Sequence, residues 1–140
     1  MKKFLSVVSA SAAALALWIG GCAGSSGVAR TGGELSDSVW RPDGGPRLAY
    51  VEFTSDNRAV GCAGVNRFFG PVSYEKGKRI RIGPLASTRM SGPDAKYEAR
   101  FFAGIEETRG YVLEEDKLTL YNEERQPVMV LIPLKKQVRR

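Results

Sequence analysis

The chain has 140 residues, of which 43% are hydrophobic and 26% are charged, and this length fits one ordinary globular domain and excludes a multidomain enzyme. The net charge of +6 arises at the two ends of the chain, where Lys2, Lys3 and four basic residues after Leu134 are found. Without these six residues, positions 23 to 134 contain 15 basic and 15 acidic residues. The neutral body contains no histidine. This composition disfavours nucleic-acid binding, transition-metal sites and most catalytic chemistry.

The amino terminus has the pattern of a signal peptide. Two lysines precede an uncharged segment of 16 residues, Phe4–Ile19, which is shorter than the roughly 20 residues that span a bilayer. The segment ends in Ile19-Gly20-Gly21-Cys22, which resembles the lipobox of bacterial lipoproteins, where the cysteine thiol receives a diacylglycerol. This resemblance predicts a signal peptide over residues 1–21 and lipidation of Cys22. The alternative is a simple signal peptide followed by an incidental cysteine.

The lipobox also implies a location in the cell. Ala23 stands where lipoproteins kept in the inner membrane often have Asp, so the resemblance implies the periplasmic face of the outer membrane. Residues 22–36 are rich in Gly and Ser and are predicted to form a flexible tether of roughly 20 Å. The folded domain is predicted over residues 37–134. The basic tail, residues 135–140, is either a solvated end or a contact with an anionic lipid surface.

Short apolar alternations between turn residues predict an antiparallel sheet in the body. In the second strand, Gly61 and Gly64 indicate a bulge, a bend or a close backbone approach. The turn Lys76-Gly77-Lys78 predicts a hairpin, and the last strand is apolar on both faces, which places it centrally or under a helix. The predicted strands are Leu48–Phe53, Arg58–Val65, Val72–Tyr74, Ile80–Ile82, Tyr111–Leu113, Leu118–Tyr121 and Val128–Ile132.

One helix is predicted over Asp94–Arg109. Asp94 is expected to accept hydrogen bonds from the first turn, and Gly110 is expected to end the helix in a left-handed conformation. An apolar stripe faces one side, formed by Tyr97, Phe101, Phe102 and Ile105. The patterns together predict an α+β domain, in which a curved, mainly antiparallel and barrel-like sheet packs against one α-helix.

Several motifs agree in order and spacing with one known family. The chain contains a Trp early in the body (Trp40), a Gly-Cys-Ala-Gly-Val-Asn-Arg-Phe-Phe-Gly element (61–70), a Thr-Arg-Met-Ser-Gly-Pro element before the helix (88–93) and a Leu-Thr-Leu strand (118–120). In these elements the chain resembles the META domain family, which includes the HslJ-like heat-shock lipoproteins. The two cysteines of that family fall here on Val65 and Gly92, so the resemblance implies a domain held together without that pair.

The resemblance implies a cellular role, although no biochemical activity is established for the family. It suggests a non-catalytic envelope lipoprotein that acts by binding, in heat stress, antibiotic tolerance or envelope maintenance. The alternative is an inhibitor or accessory subunit that docks on another envelope protein. The expected partners are the membrane, through a lipid anchor, and an envelope protein or small ligand, with no cofactor, metal or nucleic acid.

The candidate binding loops contain Asn66, Arg67, Thr88 and Arg89, since the resemblance places their two motifs together. Either these residues form a polar patch that recognises an envelope component, or Asn66 adopts a positive φ and Thr88 bonds to backbone. Cys62 is expected to be a buried small residue, with an intermolecular disulfide or a nucleophile as alternatives.

Overall fold

The structure is a computed structural model that describes residues 33–134. The predicted signal peptide, the lipidation of Cys22 and the basic tail lie outside the described residues. No helix within residues 33–134 is long and apolar enough to cross a membrane. The elements of this part of the chain are β1 (Ser38–Pro42), β2 (Tyr50–Phe53), β3 (Arg58–Cys62), β4 (Arg67–Glu75), β5 (Arg79–Ile82), β6 (Ala86–Ser87), α1 (Ala95–Glu107), β7 (Gly110–Glu114), β8 (Lys117–Tyr121) and β9 (Pro127–Pro133).

The strands form one antiparallel sheet that closes into a ring. Starting at β3, the neighbours are β2, β1, β9, β8, β7, β5 and β4, and β4 pairs in turn with β3. The short strand β6 pairs with Phe68 and Phe69 of β4. The predicted fold class, an α+β domain with a curved, barrel-like antiparallel sheet and one helix, is therefore confirmed.

The helix contributes its apolar stripe to the core of the ring. Phe101 and Ile105 are fully buried, and the Phe101 ring lies 5.4 Å from the ring of Phe68 in β4. Gly104 lies against Met129 of β9, so the last strand packs under the helix and also lies between β1 and β8, as its apolar pattern predicted. The buried strand residues of the core include Trp40, Val51, Phe53, Ala59, Phe68, Val72, Ile80, Ile82, Tyr111, Leu118, Leu120 and Leu131.

The predicted hairpin is present, and the two glycines of the predicted second strand, Gly61 and Gly64, have separate roles. Glu75 of β4 pairs with Arg79 of β5 around the turn. Gly61 allows a close approach, since a Cβ atom there would overlap the backbone carbonyl of Tyr50 in β2. Gly64 makes a bend with a φ of 123°, which ends the strand before the predicted boundary at Val65.

Both predicted helix ends are wrong. The side chain of Asp94 makes no capping hydrogen bond, and the helix begins with its backbone carbonyl, which accepts from the amide of Glu98 at 2.9 Å. Gly110 is already the first residue of β7. The helix ends at Glu107 and is capped by Thr108, whose hydroxyl donates to the carbonyl of Gly104 at 2.7 Å. A buried side chain thus satisfies the end of the helix where a left-handed glycine was expected.

The folded body begins before the predicted boundary. Leu35, which the sequence analysis assigned to the tether, is only 1% exposed and belongs to the core. The chain then enters β1, a strand that the sequence analysis missed, and Trp40 lies within it with its indole nitrogen donating to the hydroxyl of Ser38 at 2.7 Å. The folded body therefore includes Leu35, which lies within the range predicted for the tether.

Candidate functional site

The two loops that the sequence singled out are adjacent. One connects β3 to β4 and ends at Asn66, and the other connects β6 to α1 and begins at Thr88. The amide of Arg67 donates to the hydroxyl oxygen of Thr88 at 3.2 Å, and the amide of Thr88 donates to the carbonyl of Arg67 at 3.0 Å. Residues that are distant in sequence therefore form one surface.

A buried amide fixes the two loops to each other. Asn66 is 4% exposed, and its Oδ1 accepts from the hydroxyl of Thr88 at 2.9 Å and from the amide of Met90 at 2.6 Å. Its Nδ2 donates to the carbonyl of Met90 at 3.0 Å and to Oε1 of Glu98 at 2.6 Å. The amide side chain thus makes all four hydrogen bonds available to it. Asn66 does not have the positive φ that was one expectation; Gly64 supplies it instead.

Glu98 of α1 completes this arrangement, and the sequence analysis missed it. Its Oε2 accepts from the backbone amides of Val65 at 3.1 Å and Asn66 at 2.6 Å, while Oε1 accepts from the Asn66 side chain. We call Asn66, Thr88, Met90 and Glu98 the Asn66 network. The only sequence signal for Glu98 is an acidic residue in the first helical turn, because its partners lie more than thirty residues earlier.

Several side chains of the loops are exposed beside this network, and the longest of them belong to Arg67, Arg89 and Met90. Arg67 and Arg89 are exposed, and Met90 is 61% exposed although its backbone is held on both sides by Asn66. We call Arg67, Arg89 and Met90 the loop surface. Of the four candidate residues, Asn66 and Thr88 therefore support the backbone, while the two arginines remain available to a partner.

Cys62 is not the buried residue that we expected. It is half-buried at the end of β3 and has no disulfide partner within residues 33–134. It lies between Tyr50 of β2 and Arg67 of β4, its partners in the two neighbouring pairings. In β3, Ala59 and Gly61 occupy the interior positions, so alternation along the strand places the Cys62 side chain on the outer face of the ring.

The two positions where the family has cysteines are in contact. A Cβ atom built on Gly92 would lie 3.5 Å from Cβ of Val65 and 2.9 Å from each of its γ carbons. Disulfides join Cβ atoms that are about 3.5 to 4.5 Å apart. The separation of Val65 and Gly92 thus fits a disulfide, and here a valine side chain packs on a glycine.

A second group of polar residues lies where β5 meets β7. Lys78 bonds to the carboxylate of Glu34, and the hydroxyl of Tyr111 donates to the same carboxylate at 3.1 Å. The bond to Lys78 lowers the pKa of the Glu34 carboxyl, while burial and the bond to Glu34 raise the pKa of Tyr111 to about 12. Burial, with a smaller effect of Tyr111, raises the pKa of Tyr74 to about 12, so both phenols stay protonated at neutral pH.

The polar groups of the structure do not assemble a metal centre. Within the part of the chain that the structure describes, no three Cys, Asp or Glu side chains cluster closely enough to hold a metal ion. Ser73 and Lys76 have the spacing of serine acylases, but Ser73 lies in β4 opposite Arg81 and Lys76 begins the hairpin turn, so they do not share a helical face.

Comparison with known proteins identifies the family. A family model for the META domain matches residues 28–133. The match covers more than half of the chain, and the chain belongs to the META domain family. This confirms the resemblance found in the sequence.

The fold is also similar to solved structures. One is an NMR structure of a protein from Burkholderia xenovorans, with 17% identity, a TM-score of 0.55 and coverage of 73% of this chain and 85% of that chain. Another is the crystal structure of a DUF4847 family protein from Bacteroides vulgatus, with 12% identity, a TM-score of 0.54 and coverage of 74% and 96%. At these identities the likeness shows the fold alone. No curated protein matches the chain.

The contact between Val65 and Gly92 predicts that a disulfide can be introduced there. The double substitution Val65→Cys/Gly92→Cys, in a Cys22→Ala/Cys62→Ala background that removes both native thiols, should oxidise in air. Closing a loop of this length should raise the free energy of unfolding by about 3 kcal/mol, which urea unfolding measures. The same protein under reducing conditions is the control. Failure to oxidise, or equal stability of both forms, would contradict the geometry.

Proposed function

We propose that this META-domain chain is a non-catalytic lipoprotein of the bacterial envelope that acts by binding, in heat-stress or antibiotic tolerance. Cys22 is the proposed lipidation site, and the periplasmic face of the outer membrane is the proposed location. The lipobox-like residues 19–22 support the anchor. The observation that supports binding is the loop surface, two arginines and a methionine held on a fixed backbone.

The Asn66 network favours binding because it leaves the loop surface preorganised. The amide of Asn66 and the carboxylate of Glu98 hold the backbone of both loops, so little order has to be gained when a partner arrives. Arg and Met are also residue types that protein interfaces favour. Neither guanidinium group of this surface pairs with a side chain in residues 33–134. A rigid surface of this kind suits a partner that presents carboxylate or phosphate groups.

The same network disfavours catalysis at this site. The only hydroxyl in it, that of Thr88, donates its hydrogen bond to the amide oxygen of Asn66. An amide oxygen does not take up a proton at neutral pH, so this hydroxyl has no general base to activate it. The chain also contains no histidine to serve as a base.

A second candidate function is docking on another envelope protein, as an inhibitor or accessory subunit. The specific observation in its favour is Phe69, which is 50% exposed on the outer face of β4. It pairs with Val60 of β3 on one side and Ala86 of β6 on the other, and Arg58 lies over its ring at 5.4 Å. An exposed aromatic with apolar neighbours suits the centre of a protein interface.

The anchor predicts that Cys22 takes up fatty acid in the cell. Cells that express the wild-type chain should incorporate labelled palmitate into it, and the Cys22→Ala variant should incorporate none. A Cys62→Ala variant is the matched control and should be labelled like the wild type. Equal labelling of the Cys22→Ala variant would contradict the lipoprotein proposal.

The loop surface predicts a specific neighbour in the envelope. A photoreactive residue at Met90 should crosslink a partner in cells, and Arg67→Ala/Arg89→Ala should abolish that product while changing the free energy of unfolding by no more than about 0.5 kcal/mol, as expected for exposed side chains. Mass spectrometry of the product tells a docked protein from a small ligand. A photoreactive residue at Lys117 is the control position. The same products from both positions, or a large loss of stability in the arginine variant, would contradict a binding role.

A further inference from the structure

The join between β5 and β7 is the weakest in the ring and leaves an open cleft. The two strands share one residue pair, Arg79 with Gly110, whereas β7 and β8 share five. The cleft has a volume of about 550 Å³, and ligand sites commonly have volumes of roughly 300 to 1,000 Å³. We call it the basic cleft, because five of its lining residues are cations: Lys76, Lys78, Arg79, Arg109 and Arg125.

Carboxylates neutralise only part of this charge. Glu34 bonds to Lys78, and Glu75 and Glu123 lie 3.6 and 3.3 Å from the guanidinium of Arg79. Glu123 is the one acidic residue in the lining itself. Five cations against these three carboxylates leave an excess of two positive charges around the cleft.

The excess charge belongs to identifiable side chains. Arg109 donates from Nη1 to the backbone carbonyls of Glu106 at 2.6 Å and Thr108 at 2.8 Å, so it caps the end of the helix. The side chains of Lys76 and Arg125 make no hydrogen bond or ion pair with any residue in the range 33–134. Both are exposed, and both line the cleft. They are the two cations that a ligand can engage without displacing a protein partner.

An excess of two charges matches a phosphate monoester, which has a charge of about −1.5 to −2 at pH 7. The lining also includes Val112, which is 46% exposed beside the cations, and the half-buried Tyr121. These residues suit an apolar or organic group attached to the phosphate. The chemistry of the cleft thus fits an organic phosphate better than the inorganic ion.

We propose that the basic cleft binds a phosphate monoester, and that its source is a phospholipid headgroup of the membrane that holds the anchor. The second part rests on the proposed function. Its support is the position of Glu34, which bonds to Lys78 at the cleft and is therefore close to the point where the amino-terminal segment joins the barrel. Ten residues, 23–32, separate Cys22 from the described body, and ten residues span at most about 36 Å in any conformation.

Isothermal titration calorimetry tests the cleft on the full chain in a neutral detergent. The titrants are dihexanoyl phosphatidic acid, dihexanoyl phosphatidylcholine and inorganic phosphate. Phosphatidic acid should bind at least tenfold more tightly than the other two, and its affinity should fall as salt rises, because the contacts are ionic. The Lys76→Gln/Arg125→Asn variant should bind it at least tenfold more weakly. Asn is suitable at position 125, where φ is 60°.

The control variant Arg47→Asn/Lys96→Gln removes the same charge from exposed positions outside the cleft and should bind like the wild type. No binding of phosphatidic acid, or an equal loss in the control variant, would overturn the site. Inorganic phosphate binding as tightly as phosphatidic acid would overturn the lipid source.

The titration does not require lipidation, so the Cys22→Ala chain should bind equally. A wild-type chain that takes up no labelled palmitate but still binds phosphatidic acid would thus refute the anchor alone.

Discussion

The hydrogen bonds of the buried Asn66 side chain are the interaction on which the arrangement of the candidate binding loops depends. They join the end of β3 to the segment before the helix, and Glu98 adds the helix itself. A buried amide left without partners costs about 1 to 3 kcal/mol for each group, so both loops must close together around it. Arg67 and Arg89 are the chain neighbours of Asn66 and Thr88, so the closure of the two loops also fixes the backbone of both arginines.

The network lies beside the place where the family has a cysteine pair. Val65 precedes Asn66 directly and donates a hydrogen bond from its amide to the carboxylate of Glu98, and its side chain packs on Gly92. In this chain a carboxylate, an amide and a van der Waals contact therefore hold together the segments that a covalent bond would link. The hydrogen bonds of the Asn66 network involve no thiol or disulfide. They therefore hold the loops together in an oxidising and in a reducing compartment alike.

The filled ring confines binding to the outside of the barrel. Phe101 and Ile105 of the helix and the inward side chains of the strands occupy its interior, as the burial of Phe53 and Leu120 shows. Three outer candidates remain, the loop surface, the exposed Phe69 and the basic cleft, and the cleft shares no residue with the other two. The net charge of the body is zero, but folding brings five cations together where β5 and β7 share a single residue pair. The overall composition does not reveal this local charge.

Local pattern predicted much of the fold, including the hairpin, the helix stripe and the central position of the last strand, because each depends on residues close in sequence. It placed the helix ends wrongly because Thr108, rather than Gly110, satisfies the last turn. It missed β1 and the burial of Leu35, since a single apolar residue among Gly and Ser gives no periodic signal.

The site was less predictable than the fold. The family resemblance brought the correct loops together, but the role of Glu98 depends on contacts across 32 residues, and the cleft depends on which strands close the ring. Cys62 was assigned to the interior because its neighbours are small and apolar. The alternation of β3 instead turns it outward, and one position of register decides the face.

A double-mutant cycle between Asn66 and Glu98 tests the central claim most directly. Urea unfolding of Asn66→Ala, Glu98→Ala and the double variant gives the coupling free energy between the two side chains. If they form one network, the double variant should be more stable than the sum of the single losses predicts, by about 1.5 kcal/mol or more for a charged hydrogen bond. Losses that add to within about 0.5 kcal/mol would contradict the network as the interaction that joins the loops to the helix.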